Sequence, residues 1–424
     1  MGMTISQKII AKHAKRKHVA PGEIVEVELD RIVGNDATSP IAIKQLEKLE
    51  LLDKVKYPEK IMFALSHYSP AKDISTAEHI SCTKNFARRY QNIKLFKEGE
   101  GIEHVILPEE GLVHPGMLII GADSHTCTLG ALGAFATGVG STDLAAAMIT
   151  GKTWMKVPNT IKVVYKGERQ RYVTGKDIIL NVIQQLGVDG ALYHAIEHSG
   201  DGLNSIFMDE RFTMSNMAIE AGAKTGIFAF DHITELYLKE KTNQKLTPEF
   251  SDEDASYLNV FEVDISKIEP QVSKPDLPSN SVAVSELEGM EVDQVYIGSC
   301  TNGRLSDLIL AASIFKKKKV HPNIRAIVVP GSKKVYEYAL KKGLIDIFVQ
   351  AGCIVGPPSC GACFGGSLGI LGPGERCLST TNRNFTGRMG HHSSEIYLSN
   401  PLVAAATAVN GRITHPHEIL GVIR

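Results

Sequence analysis

Short apolar runs recur along the chain, and each has the length of a buried or half-buried strand. They lie at 23–29, 60–65, 102–107, 117–120, 161–165, 294–297 and 325–329. Between them, helical periodicity predicts helices at 4–18, 41–51, 76–90, 176–186, 214–223 and 306–315, and one that follows Gly331 and ends at Leu340. Strands that alternate with helices indicate layered α/β domains with largely parallel sheets.

Side chains with capping ability mark two of the predicted helix starts. Thr174 precedes the helix at 176–186, and Ser215 is placed to cap the helix at 214–223. The segment 264–289 is rich in Pro and Ser and is the best linker candidate. A chain of 424 residues with such a break predicts two or three domains.

Composition narrows the class of protein. The net charge is −1, which gives no general attraction to nucleic acid or to acidic membranes. Seven cysteines are too few for a disulfide scaffold of this length, and no apolar run approaches the ~20 residues of a membrane span. The start of the chain lacks a signal-peptide pattern. These features predict a cytoplasmic protein, in which grouped thiols indicate metal or redox chemistry.

Three cysteines are the strongest chemical signal. Cys360 and Cys363 form a Cys-x-x-Cys pair among Pro and Gly residues, and Cys300 follows the predicted strand at 294–297. The pair alone is compatible with a thiol–disulfide couple, half of a zinc site, or an iron–sulfur cluster. A zinc site would need a second pair, and a redox couple would not require Cys300.

Polar residues directly follow several apolar runs, where ligands bind in open α/β sheets. His67, His104 and His125 are candidate proton handlers, and Asp123 lies two residues before His125. A second polar segment, 377–388, carries Arg383 and Arg388 among Asn, Thr and Gly, which suits bidentate binding of carboxylates. The alternative for each histidine is an inert loop residue, and the alternative for the two arginines is a surface ion pair.

Taken together, the motifs resemble a known family. They are Gly121-Ala-Asp-Ser-His-Thr126, Ser215-Asn-Met-Ala-Ile-Glu220, Ile297-Gly-Ser-Cys-Thr-Asn302, Pro358-Ser-Cys-Gly-Ala-Cys363 and the segment from Thr381 to Arg388. The chain is similar, over nearly its whole length, to large subunits of the 3-isopropylmalate dehydratase and homoaconitase group of the aconitase superfamily.

The resemblance implies a fold and a partner. Three layered α/β/α domains would surround a central cleft, at about 1–158, 159–275 and 276–424, with the first and third able to interleave. The third would carry the cluster cysteines. The family's fourth, swivelling domain, with its catalytic Ser and a further Arg, is not expected in this chain. A separate small subunit would supply it.

The resemblance also implies a [4Fe–4S] cluster held by Cys300, Cys360 and Cys363, with one iron free of protein ligands to act as a Lewis acid. The other matching site positions have implied catalytic or substrate-binding roles. The catalytic set is His125, Asp123, His104, His67 and Glu220, and the substrate-binding set is Arg383, Arg388, Asn216, Asn35 and Ser124. Asn382 matches a polar position beside the cluster.

The implied reaction is dehydration and rehydration of a hydroxy dicarboxylic acid. Conversion of 2-isopropylmalate to 3-isopropylmalate through isopropylmaleate is favoured, in leucine biosynthesis. Citramalate dehydratase, homoaconitase and a non-catalytic cluster-binding regulator stay as alternatives. One departure bears on the chemistry: relatives commonly have Asp before the histidine at 67, whereas this chain has Ser66. A hydroxyl alone would orient that imidazole weakly.

Overall fold

A computed structural model describes residues 2–421 of the chain. The strands in this range are β1 Ile24–Glu28, β2 Arg31–Asn35, β3 Ile61–Ala64, β4 Lys94–Phe96, β5 Leu118–Gly121, β6 Phe135–Gly138, β7 Lys152–Lys156, β8 Thr160–Lys166, β9 Ala195–Ser199, β10 Thr225–Phe228, β11 Asn259–Asp264, β12 Gln271–Ser273, β13 Ser281–Ala283, β14 Gln294–Ile297, β15 Arg325–Val328, β16 Ile354–Val355, β17 Arg376–Ser379 and β18 Glu395–Ser399.

The α-helices of the same range are α1 Ile5–His13, α2 Ser39–Lys48, α3 Ile74–Ala87, α4 Glu103–Glu109, α5 Ser141–Thr150, α6 Gly175–Leu186, α7 Met208–Met217, α8 His232–Lys239, α9 Ser299–Asn302, α10 Leu305–Phe315, α11 Lys333–Lys341, α12 Leu344–Ala351, α13 Pro401–Asn410 and α14 His417–Leu420. Short 3-10 helices include Ser124–Leu132, Ala218–Ala221 and Gly361–Phe364. Helices and strands alternate, so the predicted α/β class is confirmed.

Three sheets organise the chain in sequence order. A parallel five-stranded sheet has the order β4-β3-β2-β5-β6, and a parallel four-stranded sheet has the order β10-β9-β8-β11. A seven-stranded sheet has the order β13-β12-β18-β17-β14-β15-β16 and is parallel from β18 to β16. The antiparallel pair β1-β7 lies apart from these sheets. The sheets agree with three layered units, while the domain boundaries stay a prediction.

The interior strand β5 is buried along its whole length, and its sequence is apolar throughout. Ile119 packs into one hydrophobic core with Leu129, while Ile120 packs into another with Phe135. Both faces of the sheet are therefore covered, as parallel sheets require. Polar side chains can leave the sheet only where the strand ends, and Asp123 stands two residues beyond that end.

Helix α6 connects the second sheet to the third. Thr174 caps it as predicted, with Oγ1 accepting from the Lys176 N–H at 3.2 Å, while Asp177 accepts from the Thr174 N–H at 2.7 Å. The buried Asp177 carboxylate also accepts from the backbone N–H of Gln271 and from the side chain of Asn400, each at 2.8 Å. Burial raises the pKa of Asp177 to about 6.

Two sequence-based predictions of elements are wrong. The run at 102–107 is not a strand but most of helix α4, which places His104 in a first helical turn rather than in a loop. Every residue from 101 to 108 is buried, so hydrophobic periodicity could not distinguish the two structures. The helix predicted at 214–223 begins at Met208 and changes to 3-10 geometry at Ala218, so Ser215 lies inside it and caps nothing.

The Pro- and Ser-rich segment 264–289 is also more ordered than a linker. It contains β12 and β13, which form the antiparallel edge of the seven-stranded sheet, and β12 pairs with β18. Edge positions tolerate proline because few ladder hydrogen bonds are needed there. No helix within residues 2–421 is both long enough and apolar enough to cross a membrane.

Replacement of Thr174 by Ala should lower the free energy of unfolding by about 1 kcal/mol, because the start of α6 loses its cap. Urea denaturation followed by circular dichroism measures this change. Thr247→Ala, at an exposed position outside any helix, is the matched control and should change stability by less than about 0.5 kcal/mol. Equal effects of the two substitutions would contradict the capping role.

Candidate active site

The three predicted metal-binding thiols converge in the structure. Cys300 lies in α9 just after β14, while Cys360 and Cys363 lie just before and within the 3-10 helix Gly361–Phe364. All three are at most 4% exposed, and none is in a disulfide. The Asn216 amide nitrogen lies 3.2 Å from Cys300 Sγ, and the Asn382 amide oxygen lies 3.7 Å from Cys363 Sγ. The side-chain amides of Asn216 and Asn382 thus contact the sulfurs of Cys300 and Cys363.

The Cys-x-x-Cys turn fits tightly onto the third sheet. Tyr296 of β14 donates its hydroxyl to the Cys360 carbonyl at 3.0 Å. Gly361 has φ of 58°, and a Cβ there would lie 2.2 Å from the Tyr296 hydroxyl oxygen, so only glycine fits. The Cys360 N–H donates to the Ser66 carbonyl at 2.9 Å, which joins the thiol turn to the histidine loop after β3.

The donor set fits an iron–sulfur cluster. Within residues 2–421, ligand atoms close enough to share one ion occur at His67, Glu103 and Asp123, all within 4.8 Å of one another, and not among the three sulfurs. Three thiols suit a cluster, in which each thiolate binds a different iron. A hydrogen bond from the Cys360 thiol and the charge of Arg388 lower the pKa of Cys363 against the effect of burial, and so favour the thiolate that binds metal.

A network of imidazoles and carboxylates adjoins the thiols. Asp123 is its centre: its carboxylate oxygens lie 3.4 Å from His67 Nε2, 3.5 Å from His125 Nδ1 and 3.8 Å from His104 Nε2. His125 Nε2 lies 2.9 Å from a carboxylate oxygen of Glu220. The structure therefore brings all five predicted catalytic residues into one cluster, in which Asp123 is half-buried and the other four are buried.

The charges in this network stabilise one another. Burial opposes ionisation of Asp123, but hydrogen bonds from His125 and His67 hold its pKa well below the usual value. Burial and Arg383 both disfavour the His125 imidazolium, yet hydrogen bonds to Asp123 and Glu220 raise its pKa. His104 differs, because burial lowers its pKa and both ring nitrogens lack a hydrogen-bond partner among the described residues. Its two ring nitrogens therefore keep their hydrogen-bonding capacity.

Two arginines lie on the predicted polar segment after β17. Arg383 donates through Nε to both oxygens of Glu220, at 2.9 and 3.0 Å. Within the described part of the chain its hydrogen bonds all involve Nε, which leaves the terminal nitrogens for a carboxylate. Arg388 has a buried Nε without a partner among residues 2–421.

Two other residues predicted to bind substrate, Asn35 and Ser124, have neighbours other than the arginines and thiols. Asn35 is fully buried, with its amide nitrogen 2.8 Å from Glu103 and its oxygen accepting from residues 37 and 38, so its amide serves the protein. Ser124 borders a separate groove lined by Gly138, Trp154 and Lys224. The substrate contacts assigned to both stay predictions.

Sequence analysis missed two carboxylates that shape the histidine loop. Asp36 accepts the backbone N–H groups of Ser66, His67 and Tyr68 at 3.0, 2.8 and 2.7 Å. Glu103, which is 1% exposed, accepts from the Ser66 hydroxyl at 2.9 Å. The Ser66 hydroxyl beside His67 is thus supported by the Glu103 carboxylate. A charged residue inside the apolar run at 102–107 was the available signal for Glu103.

The sequence matches the aconitase family (aconitate hydratase) over residues 7–289 and 285–411. The chain belongs to the aconitase family. The predicted resemblance is confirmed. Membership in this family implies an iron–sulfur cluster, in agreement with the converging thiols.

Curated relatives match this chain over nearly its whole length. A 3-isopropylmalate dehydratase large subunit from Aquifex aeolicus is 54% identical over 425 residues, which cover 99% of this chain and 98% of that relative. A 3-isopropylmalate dehydratase large subunit 1 from Pyrococcus furiosus is 55% identical over 423 residues, covering 99% of each.

A solved structure supports the fold. The holo-form of Thermococcus kodakaraensis aconitase X superimposes with a TM-score of 0.54 at 15% identity, over 99% of this chain and 95% of that chain. At this identity the likeness concerns the aconitase-type fold alone.

The site predicts a pH dependence of stability. Burial alone would lower the pKa of His67, but Glu103 and Asp123 raise it to about 9, above the 6.5 of an unfolded chain. The imidazolium therefore stabilises the fold below pH 6.5, and this contribution, up to about 3 kcal/mol, is lost as the pH rises through 9.

Urea denaturation of the wild-type chain and of His67→Gln between pH 6 and 10 measures this contribution. The stability difference between the two proteins should shrink as the pH rises. His392→Gln, at an exposed histidine, is the control and should follow the wild type. A constant difference between wild type and His67→Gln across this range would contradict the assignment.

Proposed function

We propose that this chain is the cluster-bearing large subunit of a hydro-lyase that converts 2-isopropylmalate to 3-isopropylmalate through isopropylmaleate. The observation that carries the proposal is that three buried thiols, a histidine–carboxylate network and Arg383 meet in one site. The near full-length relatives at 52–55% identity, each named 3-isopropylmalate dehydratase large subunit, support the choice of substrate.

Cys300, Cys360 and Cys363 would hold a [4Fe–4S] cluster. Such a cluster, with one iron free of protein ligands, supplies a Lewis acid that assists departure of the substrate hydroxyl. Asn216 and Asn382 keep the sulfurs oriented through their amides. Because the sulfurs are buried, water has little access to the metal-binding side of the site.

The protein side chains supply binding and proton transfer. The terminal nitrogens of Arg383, together with Arg388, bind the substrate carboxylates. His67 holds a proton at neutral pH and presents Nε2 beside Asp123, so it donates that proton to the departing hydroxide and forms water. In rehydration, water returns to the neighbouring carbon and a proton returns to His67.

Dehydration also removes a proton from carbon, and this step needs a base. We assign that base to a serine of a small-subunit partner, which would close over the cleft with a further arginine. The name "large subunit" of the relatives supports such a partner. The free thiols of the chain and an oxygen-sensitive cluster favour the reducing cytoplasm as its location.

The thiol assignment predicts a loss of cluster on substitution. Anaerobic reconstitution with iron and sulfide should give the absorbance of a [4Fe–4S] cluster and about four irons per chain in the wild type. Cys300→Ser, Cys360→Ser and Cys363→Ser should each lose most of this absorbance. Cys82→Ser removes a half-buried thiol outside the site and should load fully. Normal loading of Cys300→Ser would favour a role for the Cys-x-x-Cys pair alone.

The substrate assignment is tested with the reconstituted chain and its cognate small subunit. The pair should form isopropylmaleate from either isopropylmalate isomer, measured by the ultraviolet absorbance of the alkene. The large subunit alone should be at least about 100-fold slower, because it lacks the base. Faster turnover of 2-methylmalate or homocitrate would assign a different hydroxy acid, and full activity without the partner would refute the division of the site.

A further inference from the structure

Glu103 makes two hydrogen bonds that fix its carboxylate. It lies in the first turn of α4 and is almost completely buried. Oε2 accepts from the Ser66 hydroxyl at 2.9 Å, and Oε1 accepts from the Asn35 amide at 2.8 Å. Both carboxylate oxygens are therefore held by donors of the protein.

The direction of the hydrogen bonds follows from the chemistry of the groups. A carboxylate only accepts, and a serine hydroxyl has a single proton. Because that proton goes to Glu103, the Ser66 oxygen must accept from His67 Nδ1, which lies 3.0 Å away. His67 is thereby held with a proton on Nδ1 and with Nε2 turned towards Asp123, 3.4 Å away on the opposite side of the ring.

We propose that Glu103 is a positioning residue that acts through Ser66 to orient His67 for proton transfer at the substrate hydroxyl. Glu103 touches neither substrate nor cluster in this scheme. It fixes the ring through a relay of two hydrogen bonds. The Ser66 hydroxyl donates its proton to Glu103, and its oxygen therefore accepts from His67 Nδ1. The proposal deepens the proposed function and rests on it for the reaction, whereas the orientation of His67 is independent of the substrate.

The surrounding residues make the relay rigid. Asp36 holds the backbone of Ser66 and His67 through their N–H groups. Phe364 of the thiol turn packs against the His67 ring, with ring centroids 5.1 Å apart. The imidazole therefore has fixed partners at its backbone, its ring edge and both nitrogens, so a change at Glu103 acts on ring orientation rather than on the fold of the loop.

Kinetics of the reconstituted two-subunit enzyme test the relay. Glu103→Gln keeps the size of the side chain, and Ser66→Ala removes the hydroxyl. Each should lower kcat about 100-fold while KM changes less than about threefold. The double variant Ser66→Ala/Glu103→Gln should be no slower than the slower single variant, because both remove the same relay. A kcat within threefold of wild type for Glu103→Gln would overturn the proposal.

A swapped carboxylate provides a rescue. Ser66→Asp/Glu103→Gln places an acceptor directly beside His67 Nδ1 and should recover kcat to within about tenfold of wild type. Glu110→Gln, which removes an exposed carboxylate at the end of the same helix, is the matched control and should leave kcat unchanged. Rates of the swapped variant no higher than those of Glu103→Gln would also overturn the proposal.

A measurement without turnover separates the relay from the reaction. In the full chain labelled with ¹⁵N-histidine, the His67 Nδ1–H should give a slowly exchanging resonance, assigned by its loss in His67→Gln. Ser66→Ala and Glu103→Gln should lose this resonance or increase its exchange at least tenfold. Its absence from the wild type would refute the relay even if no variant folds. Failure of isopropylmalate turnover with this resonance present would refute the proposed substrate alone.

Discussion

Burial of negative charge beside the three thiols is the constraint on which the site depends. Three buried thiols and the buried carboxylates of Glu220 and Glu103 lie close to the half-buried Asp123, and an isolated charge is unfavourable in such surroundings. His67, His125 and Arg383 offset this cost, with contacts to these carboxylates from 2.9 to 3.5 Å. Because the paired groups favour each other's charged forms, loss of one partner leaves an uncompensated charge and disturbs the whole network.

The backbone makes this concentration of charge possible. Parallel strands of the five- and seven-stranded sheets direct their carboxyl ends towards one region, from which residues 66–67, 123–125 and 300 extend. Buried strands cannot carry ionised side chains along their length, whereas the residues beyond their ends can. The second sheet contributes differently, through α7 and the 3-10 helix after it, which bring Asn216 and Glu220. Each unit thus supplies a different part of one site.

Local strand and helix patterns predicted the α/β layering, whereas the grouping of Cys300 with the Cys-x-x-Cys pair in one cluster site was implied by the family resemblance. The prediction failed at 102–107, where every residue is buried, including the polar Glu103 and His104. Hydrophobic periodicity could therefore reveal neither helix α4 nor the direction of the Glu103 side chain. The contact of Ser66 with Glu103 joins residues 37 positions apart. Such a pairing depends on how α4 packs beside β3, which no local pattern encodes.

Ser66 illustrates how a carboxylate can act on a histidine that it does not touch. The His67 Nδ1 lies 4.0 Å from the nearest Glu103 oxygen, beyond hydrogen-bond distance, yet both atoms reach the Ser66 hydroxyl within 3.0 Å. In a buried site the Coulomb attraction over 4 Å is only weakly screened, so the carboxylate still favours the imidazolium. The hydroxyl adds direction to that attraction, since its single proton fixes which nitrogen must donate. Glu103 therefore supplies the charge and Ser66 supplies the orientation, whereas an aspartate at position 66 would supply both.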